Sequence, residues 1–263
     1  MSVTVAVFGI VIALAAALRS TWSPCGQSML SQITPVGEAG RNQRYRRTAS
    51  WFIIGALTGG LTIGGAAAAF AVVVGTVDMS HQAAIAIGAA CAFVTAVVDT
   101  RVLGFGPPFI RRQVNEDWLS RYRPWVYGGG FGWQIGTGLV TYVMTAAVPL
   151  VVVFAALTAQ PWAALTVGVV FGLARGLAVL LSAPLRSQND LYTFHRRFTR
   201  AGEPVRRAVI GVQLVVATLG AWMVARPFVA SSLTAAAVAL VVRTQAQRSR
   251  DQERAEMPAT AAR

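Results

Sequence analysis

A cysteine lies among hydroxyl and amide side chains near the N-terminus, in a polar stretch from Arg19 to Pro35 that directly follows a long apolar run. Proline removes a backbone hydrogen bond and clashes with the preceding helical turn, so Pro24 and Pro35 predict a broken or re-entrant helix. Irregular backbone at membrane depth must be surrounded by protein or water. We therefore expect this stretch, including Cys25 and Gln27, to line a cavity; the alternative is a polar extension of the first span.

A glycine-rich stretch from Gly128 to Gly138 is the counterpart of the polar stretch in the second half of the chain, and it contains Trp133, Gln134 and Gly136. Glycines this close together permit backbone that is not helical. They equally permit tight packing between membrane helices. The stretch lacks the Gly-Lys-Ser/Thr ending of a phosphate loop. The sequence leaves the first two alternatives open.

Arg175 lies near the middle of an apolar run over residues 162–185. A charge at that depth costs at least about 3 kcal/mol, so it needs a partner or water. We predict that Arg175 binds an anionic group or gates a path; hydrogen bonding to helix-end carbonyls is the structural alternative. Asp99 is the acidic partner that we expect for it, although Arg101 is a competitor for that carboxylate.

The sequence contains no motif for a metal site or a hydrolase. His81 and His195 lie apart from other ligand side chains, and neither has metal-ligand spacing. No serine or cysteine occurs in a hydrolase motif. Cys25 and Cys91 are too few for a disulfide scaffold, and Cys91 in its alanine-rich run is interpreted as a small apolar residue. We predict no metal and no cofactor.

The composition identifies a membrane protein. Hydrophobic residues make up 55% of the 263 residues, only 13% are charged, and the mean hydropathy is +0.55. Soluble domains carry about 25% charged residues. The net charge of +13 comes from arginines in short clusters between apolar runs. This pattern argues against nucleic-acid binding and predicts the lipid bilayer as the partner.

Seven apolar runs are long enough, or nearly so, to cross a membrane as helices. They cover residues 3–35, 51–75, 83–103, 127–157, 162–185, 208–225 and 227–242. The first lacks a basic n-region and is interpreted as a retained span. The fourth is long enough to tilt or break at Pro149, and the seventh is the weakest. The predicted fold is therefore an all-α polytopic bundle of six to seven spans.

Arginine clusters alternate along the chain and predict the topology. Every odd-numbered connection and the tail are basic, whereas the even-numbered connections are nearly free of arginine. The basic residues are Arg41, Arg44, Arg46, Arg47, Arg111, Arg112, Arg121, Arg123, Arg186, Arg196, Arg197, Arg200, Arg206, Arg207, Arg243, Arg248, Arg250 and Arg254. The positive-inside rule places them in the cytoplasm and the N-terminus outside the cell membrane. The polar tail, 243–263, is expected to be a disordered cytoplasmic segment.

Two pairs of tryptophans share one spacing and predict an internal repeat. Trp22 and Trp133 are 111 residues apart, as are Trp51 and Trp162. A duplicated unit with three spans inverts its second copy, which is the plan of many secondary transporters. We expect a bundle over residues 1–242, with repeats 1–110 and 111–226 and an extra span at 227–242.

The step Trp22-Ser-Pro-Cys-Gly resembles CcdA and the membrane domain of DsbD, thiol-disulfide proteins of the cytochrome c biogenesis type in the LysE-like superfamily. The resemblance covers residues 1 to about 226 and implies a three-plus-three scaffold whose two cysteines pass reducing equivalents from cytoplasmic thioredoxin. Gly132 and Trp133 begin the second family step. Ile135 and Gly136, however, occupy its Pro-Cys positions, and one thiol cannot close a disulfide alone.

Three functions follow from these patterns. The leading hypothesis is a transporter-like protein, not an enzyme, that moves a small solute or anion through a cavity at the repeat interface. Its predicted binding residues are Pro24, Cys25, Gln27, Trp133, Gln134, Gly136 and Arg175. The second is a CcdA-like redox relay with Cys25 as its catalytic thiol and a thioredoxin-like partner. The third is a non-catalytic subunit that holds other membrane subunits through its arginine-rich loops.

Overall fold

The computed structural model describes residues 3–77, 79–102, 104–107, 121–224 and 239. The elements in this part of the chain are helical, and no strand occurs among them. The α-helices are α1 (Val3–Ser20), α2 (Pro24–Gln32), α3 (Pro35–Gly40), α4 (Tyr45–Thr76), α5 (His81–Thr100), α6 (Pro124–Thr137), α7 (Ala147–Leu157), α8 (Pro161–Leu177) and α9 (Gln188–Val224). A 3-10 turn, Ala178–Ser182, extends α8. The predicted span 227–242, the tail 243–263, Arg111 and Arg112 lie outside the described residues.

Within the described residues, five helices are long and apolar enough to cross a membrane: α1, α4, α5, α9, and α8 with its 3-10 turn. Large apolar side chains on their outer faces are exposed, among them Trp162 at 81% and Phe70 at 60%. These two observations identify a multi-pass membrane protein. The repeat and the number of spans stay predictions.

Helix α9 is longer than the predicted span 208–225, because it begins at Gln188. Its 37 residues correspond to about 55 Å at 1.5 Å per residue, whereas the hydrocarbon core of a bilayer is about 30 Å thick. The arginine-rich first half of α9 therefore extends beyond the bilayer. Helix α4 also begins before its predicted span, at Tyr45. Helix α5 ends at Thr100, where Arg101 adopts a left-handed conformation with φ of 61°.

The predicted break in the first span is confirmed. Pro24 and Pro35 each begin a new helix, α2 and α3. At the start of α2 the Ser23 side chain accepts a hydrogen bond from the backbone N–H of Gly26 at 3.2 Å. Thr34 caps α3 in the same way. Proline is favoured at the first helical position, and serine and threonine are favoured just before it.

The fourth predicted span, which is long enough to tilt or break at Pro149, does break, but before Pro149 rather than at it. The chain leaves helical geometry over residues 138–146 and begins α7 at Ala147. Gly138 ends α6 with φ of 72°, a conformation that glycine adopts without steric cost. Pro149 lies within the first turn of α7, where a missing backbone N–H costs nothing.

Glycines bring α4, α6 and α8 into backbone contact. The glycines at these contacts are Gly55, Gly59, Gly60 and Gly64 of α4, Gly128, Gly132 and Gly136 of α6, and Gly168, Gly172 and Gly176 of α8. Gly60 lies against the backbone of Gly168 and Gly172. Spacings of four residues align such positions on one helix face, as in other tightly packed membrane helices. Of the two alternatives for the glycine-rich stretch, tight packing between helices is therefore correct for residues 128–137, which lie in α6.

Candidate functional site

Cys25 is the second residue of α2 and its side chain is fully buried. It packs in an apolar cluster with residues from three other helices (α4, α6 and α9) and the 3-10 turn after α8. The cluster consists of Cys25, Met29, Leu30, Ile33, Ala49, Phe52, Phe131, Ile135, Val179 and Phe198. Ile135, at the second family step, therefore belongs to the same cluster as Cys25.

Arg175 lies in the last turn of α8 and is only 2% exposed. The central carbon of its guanidinium is 5.7 Å from the centre of the Phe171 ring. Cys25 lies within electrostatic range of this guanidinium. Among the described residues, no group forms a hydrogen bond with the buried Nη2 atom of Arg175. The structure thus brings two predicted site residues together and leaves one of them with an unused donor.

The other predicted site residues are more dispersed. Pro24 is the first residue of α2. Gln27 is exposed, and its amide nitrogen donates to the carbonyl of Trp22 at 3.1 Å. Trp133 is 39% exposed, and its indole N–H donates to the hydroxyl of Thr62 at 3.1 Å. Gln134 is half-buried beside it.

Gly136 has no room for the second cysteine of the CcdA pattern. A Cβ atom at this position would overlap the backbone carbonyl of Ala56 in α4. Cys91, the other thiol, packs against a different apolar cluster from Cys25. No disulfide links the two cysteines. Within this chain, the fold therefore places no second thiol at the family's second position.

Asp99 is not the partner of Arg175. The prediction that Arg101 competes for the Asp99 carboxylate is also wrong. The Asp99 carboxylate accepts hydrogen bonds from the Thr145 hydroxyl at 2.5 Å and from the backbone N–H of Ala146 at 2.7 Å. A third comes from the Gln213 amide at 3.3 Å. Arg101 donates instead to the carbonyl of Pro107. A carboxylate is stabilised at a helix N-terminus, so Asp99 of α5 caps α7 from outside.

Glu38 forms a buried polar cluster that sequence reasoning missed. Its carboxylate is fully buried and accepts hydrogen bonds from Arg41 at 2.6 Å and from the Tyr127 hydroxyl at 2.8 Å. The Thr48 hydroxyl donates to it as well. The pairing with Arg41, three residues later, is a local signal. The contacts with α4 and α6 are not local and leave no sequence pattern.

We expect Glu38→Gln to lower the free energy of unfolding by about 1–3 kcal/mol, since hydrogen bonds to a buried charge would be lost or weakened. The measurement is thermal unfolding of the full chain in detergent. Glu203→Gln is the matched control, because Glu203 pairs with Arg206 and Arg207 and is 41% exposed, and surface pairs contribute about 0–1 kcal/mol. Equal losses for both variants would contradict a special role for the Glu38 cluster.

Comparison with known proteins identifies the family. Over 194 residues the chain is 31% identical to the methylamine utilization protein MauF of Methylophilus methylotrophus, covering 72% of this chain and 68% of the relative. The chain belongs to the MauF family. The MauF proteins of Paracoccus denitrificans and Methylorubrum extorquens are 30% and 31% identical over 178 and 170 residues. No family model matches the chain, and no solved structure gives a significant match.

The alignment to MauF leaves part of each relative uncovered. It spans 62% of the Paracoccus denitrificans protein and 58% of the Methylorubrum extorquens protein. It covers 65% and 63% of this chain, respectively. The resemblance to CcdA and DsbD stays a prediction, because these relatives carry the name MauF.

Proposed function

We propose that this chain is a membrane protein of methylamine utilization that moves a small anionic solute, with Arg175 as the group that binds it. The first part follows from the MauF relatives, which are named for methylamine utilization. The second part follows from one observation. Arg175 is 2% exposed, and its Nη2 atom has no hydrogen-bond partner in the described chain.

A buried guanidinium without a carboxylate is costly, and a bound anion would relieve that cost. Buried charges are ordinarily paired or hydrogen-bonded, because desolvation costs several kcal/mol. Arginine offers planar, paired donors that suit carboxylates and other oxyanions. The same charge repels a methylammonium ion. We therefore infer that the transported solute is an anion.

The breaks in the helices support a solute path near Arg175. The break just before α2 brings Cys25 within electrostatic range of Arg175, and a further break separates α6 from α7. Discontinuous helices surround the substrate in many secondary transporters. We further propose the three-plus-three inverted repeat, with the interface between its two units at this site.

The proposed membrane is the cell membrane, with the basic loops in the cytoplasm. Described arginines of these loops are exposed, namely Arg44, Arg46, Arg47, Arg121, Arg123, Arg186, Arg196, Arg197, Arg200 and Arg207. Their location at the ends of apolar helices agrees with the positive-inside rule. Cysteines placed singly at Arg46 and at Gln82, with Cys25 and Cys91 replaced by serine, would test the sidedness. Labelling of position 46 only from the cytoplasm, and of position 82 only from outside, is expected.

The test of the proposed function is solute uptake by the purified full chain in liposomes. The probes are labelled formate, acetate, sulfate and inorganic phosphate, with methylammonium as the oppositely charged comparison. We expect at least one anion to enter faster than into protein-free liposomes, and methylammonium to enter no faster. Uptake of methylammonium alone would contradict the proposal.

A thiol relay is the second candidate, and the interaction between Cys25 and Arg175 favours it. Cys25 lies at a helix N-terminus and within electrostatic range of an arginine, two features of reactive thiols, but its side chain is fully buried. Because Gly136 cannot accept a second cysteine without displacing Ala56, a relay would need its resolving thiol from a partner. The Cys25 thiolate would attack the partner's disulfide, forming a mixed disulfide and releasing one partner thiolate.

Substitution of Cys25 separates the two candidates. We expect Cys25→Ser to keep at least half of the anion uptake, because transport needs the charge of Arg175 and no sulfur chemistry. Incubation of the wild-type chain with an oxidised thioredoxin-like protein is expected to give no mixed disulfide on a non-reducing gel. Cys91→Ser is the control. A trapped disulfide through Cys25, together with loss of function in Cys25→Ser alone, would instead establish the relay.

A further inference from the structure

A second buried arginine, Arg19, lines a pocket distinct from the Cys25 cluster. Arg19 is in the last turn of α1 and is 7% exposed. Its Nε atom has no hydrogen-bond partner in the part of the chain that the structure describes. The pocket that it lines is completed by Asp99, Arg101, Pro107, Met144, Thr145, Arg206 and Val209. Three arginines, from the ends of α1 and α5 and from α9, thus line one pocket.

The carboxylates near this pocket leave the Nε atom of Arg19 without a hydrogen-bond partner among the described residues. Asp99 and Glu203 attract Arg19 electrostatically. Asp99 receives hydrogen bonds from Thr145, Ala146 and Gln213. Glu203 forms its ion pairs with Arg206 and Arg207. Among the described residues at this pocket, three arginines against two carboxylates give an excess of positive charge.

The other two arginines are held in place by protein contacts and retain donors for a ligand. Arg206 donates through Nη1 to the carbonyl of Asp99 at 2.8 Å, and through Nε and Nη2 to Glu203. Arg101 donates through Nη2 to the carbonyl of Pro107 at 2.7 Å. A guanidinium has five N–H donors, so each retains some after these contacts. Groups fixed in this way lose little entropy when a ligand binds.

We propose that this pocket binds a phosphate group, supplied either by the headgroup of an anionic phospholipid or by free phosphate. Several guanidinium groups around one centre suit a tetrahedral oxyanion, which offers oxygens in several directions. Arg19 and Arg101 are at the ends of apolar helices, where basic pockets between membrane helices bind lipid headgroups. Pro107, Met144 and Val209 add an apolar wall beside the charge.

The experiment measures binding of two probes to the purified full chain. In one arm, native mass spectrometry counts lipids retained from mixed micelles with phosphatidylglycerol or with phosphatidylcholine. In the other, inorganic phosphate is titrated in detergent without anionic lipid while thermal unfolding is followed. Retention of phosphatidylglycerol over phosphatidylcholine identifies a lipid headgroup. A rise in melting temperature with phosphate, without lipid preference, identifies free phosphate. Either result supports the phosphate site.

Variants locate the binding. Arg19→Gln and Arg101→Gln are each expected to weaken binding of the effective probe by about tenfold or more, the loss that goes with a hydrogen bond to a charged group. Arg196→Gln is the matched control, because Arg196 is exposed on α9 and lies outside the pocket. Arg101 is exposed at the end of α5, so its variant provides the test if Arg19→Gln does not fold. Binding unchanged in Arg101→Gln, or a wild-type chain indifferent to both probes, would overturn the proposal.

Discussion

Gly60→Val is expected to destabilise the bundle severely. A Cβ atom at Gly60 would collide with the backbone carbonyl of Gly168 and lie within 2.9 Å of the Cα of Gly172. Backbone of α8 cannot move aside as a flexible side chain can, so α4 and α8 would have to separate. Overpacking of this kind costs about 3 kcal/mol or more, which lowers the melting temperature by roughly 10 °C. The measurement is the melting temperature and yield of the full chain in detergent.

Gly65→Val is the matched control for this prediction. Gly65 is in the same helix, it is exposed, and a Cβ atom there would meet nothing within 4 Å. The two variants therefore add the same side chain to α4 at a contact and at an open face. We expect Gly65→Val to keep the wild-type melting temperature within about 2 °C, since surface changes are small. Similar melting temperatures for both variants would mean that α4 and α8 do not pack through glycine.

Arg175→Met is expected to abolish anion uptake without loss of stability. Methionine has a similar length and no charge, so it removes the binding group and fills the space. Exchange of buried ionic groups for well-packed apolar residues is often neutral or stabilising by about 1–4 kcal/mol. We therefore expect uptake to fall to the level of protein-free liposomes and the melting temperature to stay equal or rise. A loss of function together with an unchanged or higher melting temperature is typical of functional residues that lower the stability of the fold.

Two further variants complete this test. Arg175→Lys keeps the charge but loses the planar pair of donors, and we expect it to retain a measurable part of the uptake. Arg196→Met removes an exposed arginine of α9 and is expected to change neither uptake nor stability. Arg175→Met protein that unfolds at a lower temperature and transports normally would show that Arg175 has a structural role.

The helix breaks show which parts of the fold local sequence can predict. Pro24 and Pro35 begin helices because proline acts on its own backbone and on the preceding turn, so their effect is visible in the sequence. The break between α6 and α7 depends on Asp99. Its carboxylate accepts a hydrogen bond from the backbone N–H of Ala146, which is 47 residues later in the chain. Pro149 was the local signal in that region, and it indicated the wrong residue.

The sequence predicts which residues belong to the candidate site better than it predicts the contacts between them. Arg175 and Cys25 are unusual residues in apolar surroundings, and this alone selected them. Their mutual proximity depends on how α2 and α8 pack. The sequence predicts Asp99 as the partner of Arg175 because acidic residues in the apolar runs are few. Its actual donors, Thr145 and Gln213, are 46 and 114 residues away in the chain.

Arg175 and Cys25 are proposed to form one anion site, and the alkylation rate of Cys25 tests this most directly. In the Cys91→Ser chain, Cys25 is the only thiol, and a small maleimide reports whether it can be reached. We predict that an anion which is transported slows the reaction at least threefold, that methylammonium has no effect, and that Arg175→Met removes the protection. A rate that no anion alters while Arg175 is present would contradict the account.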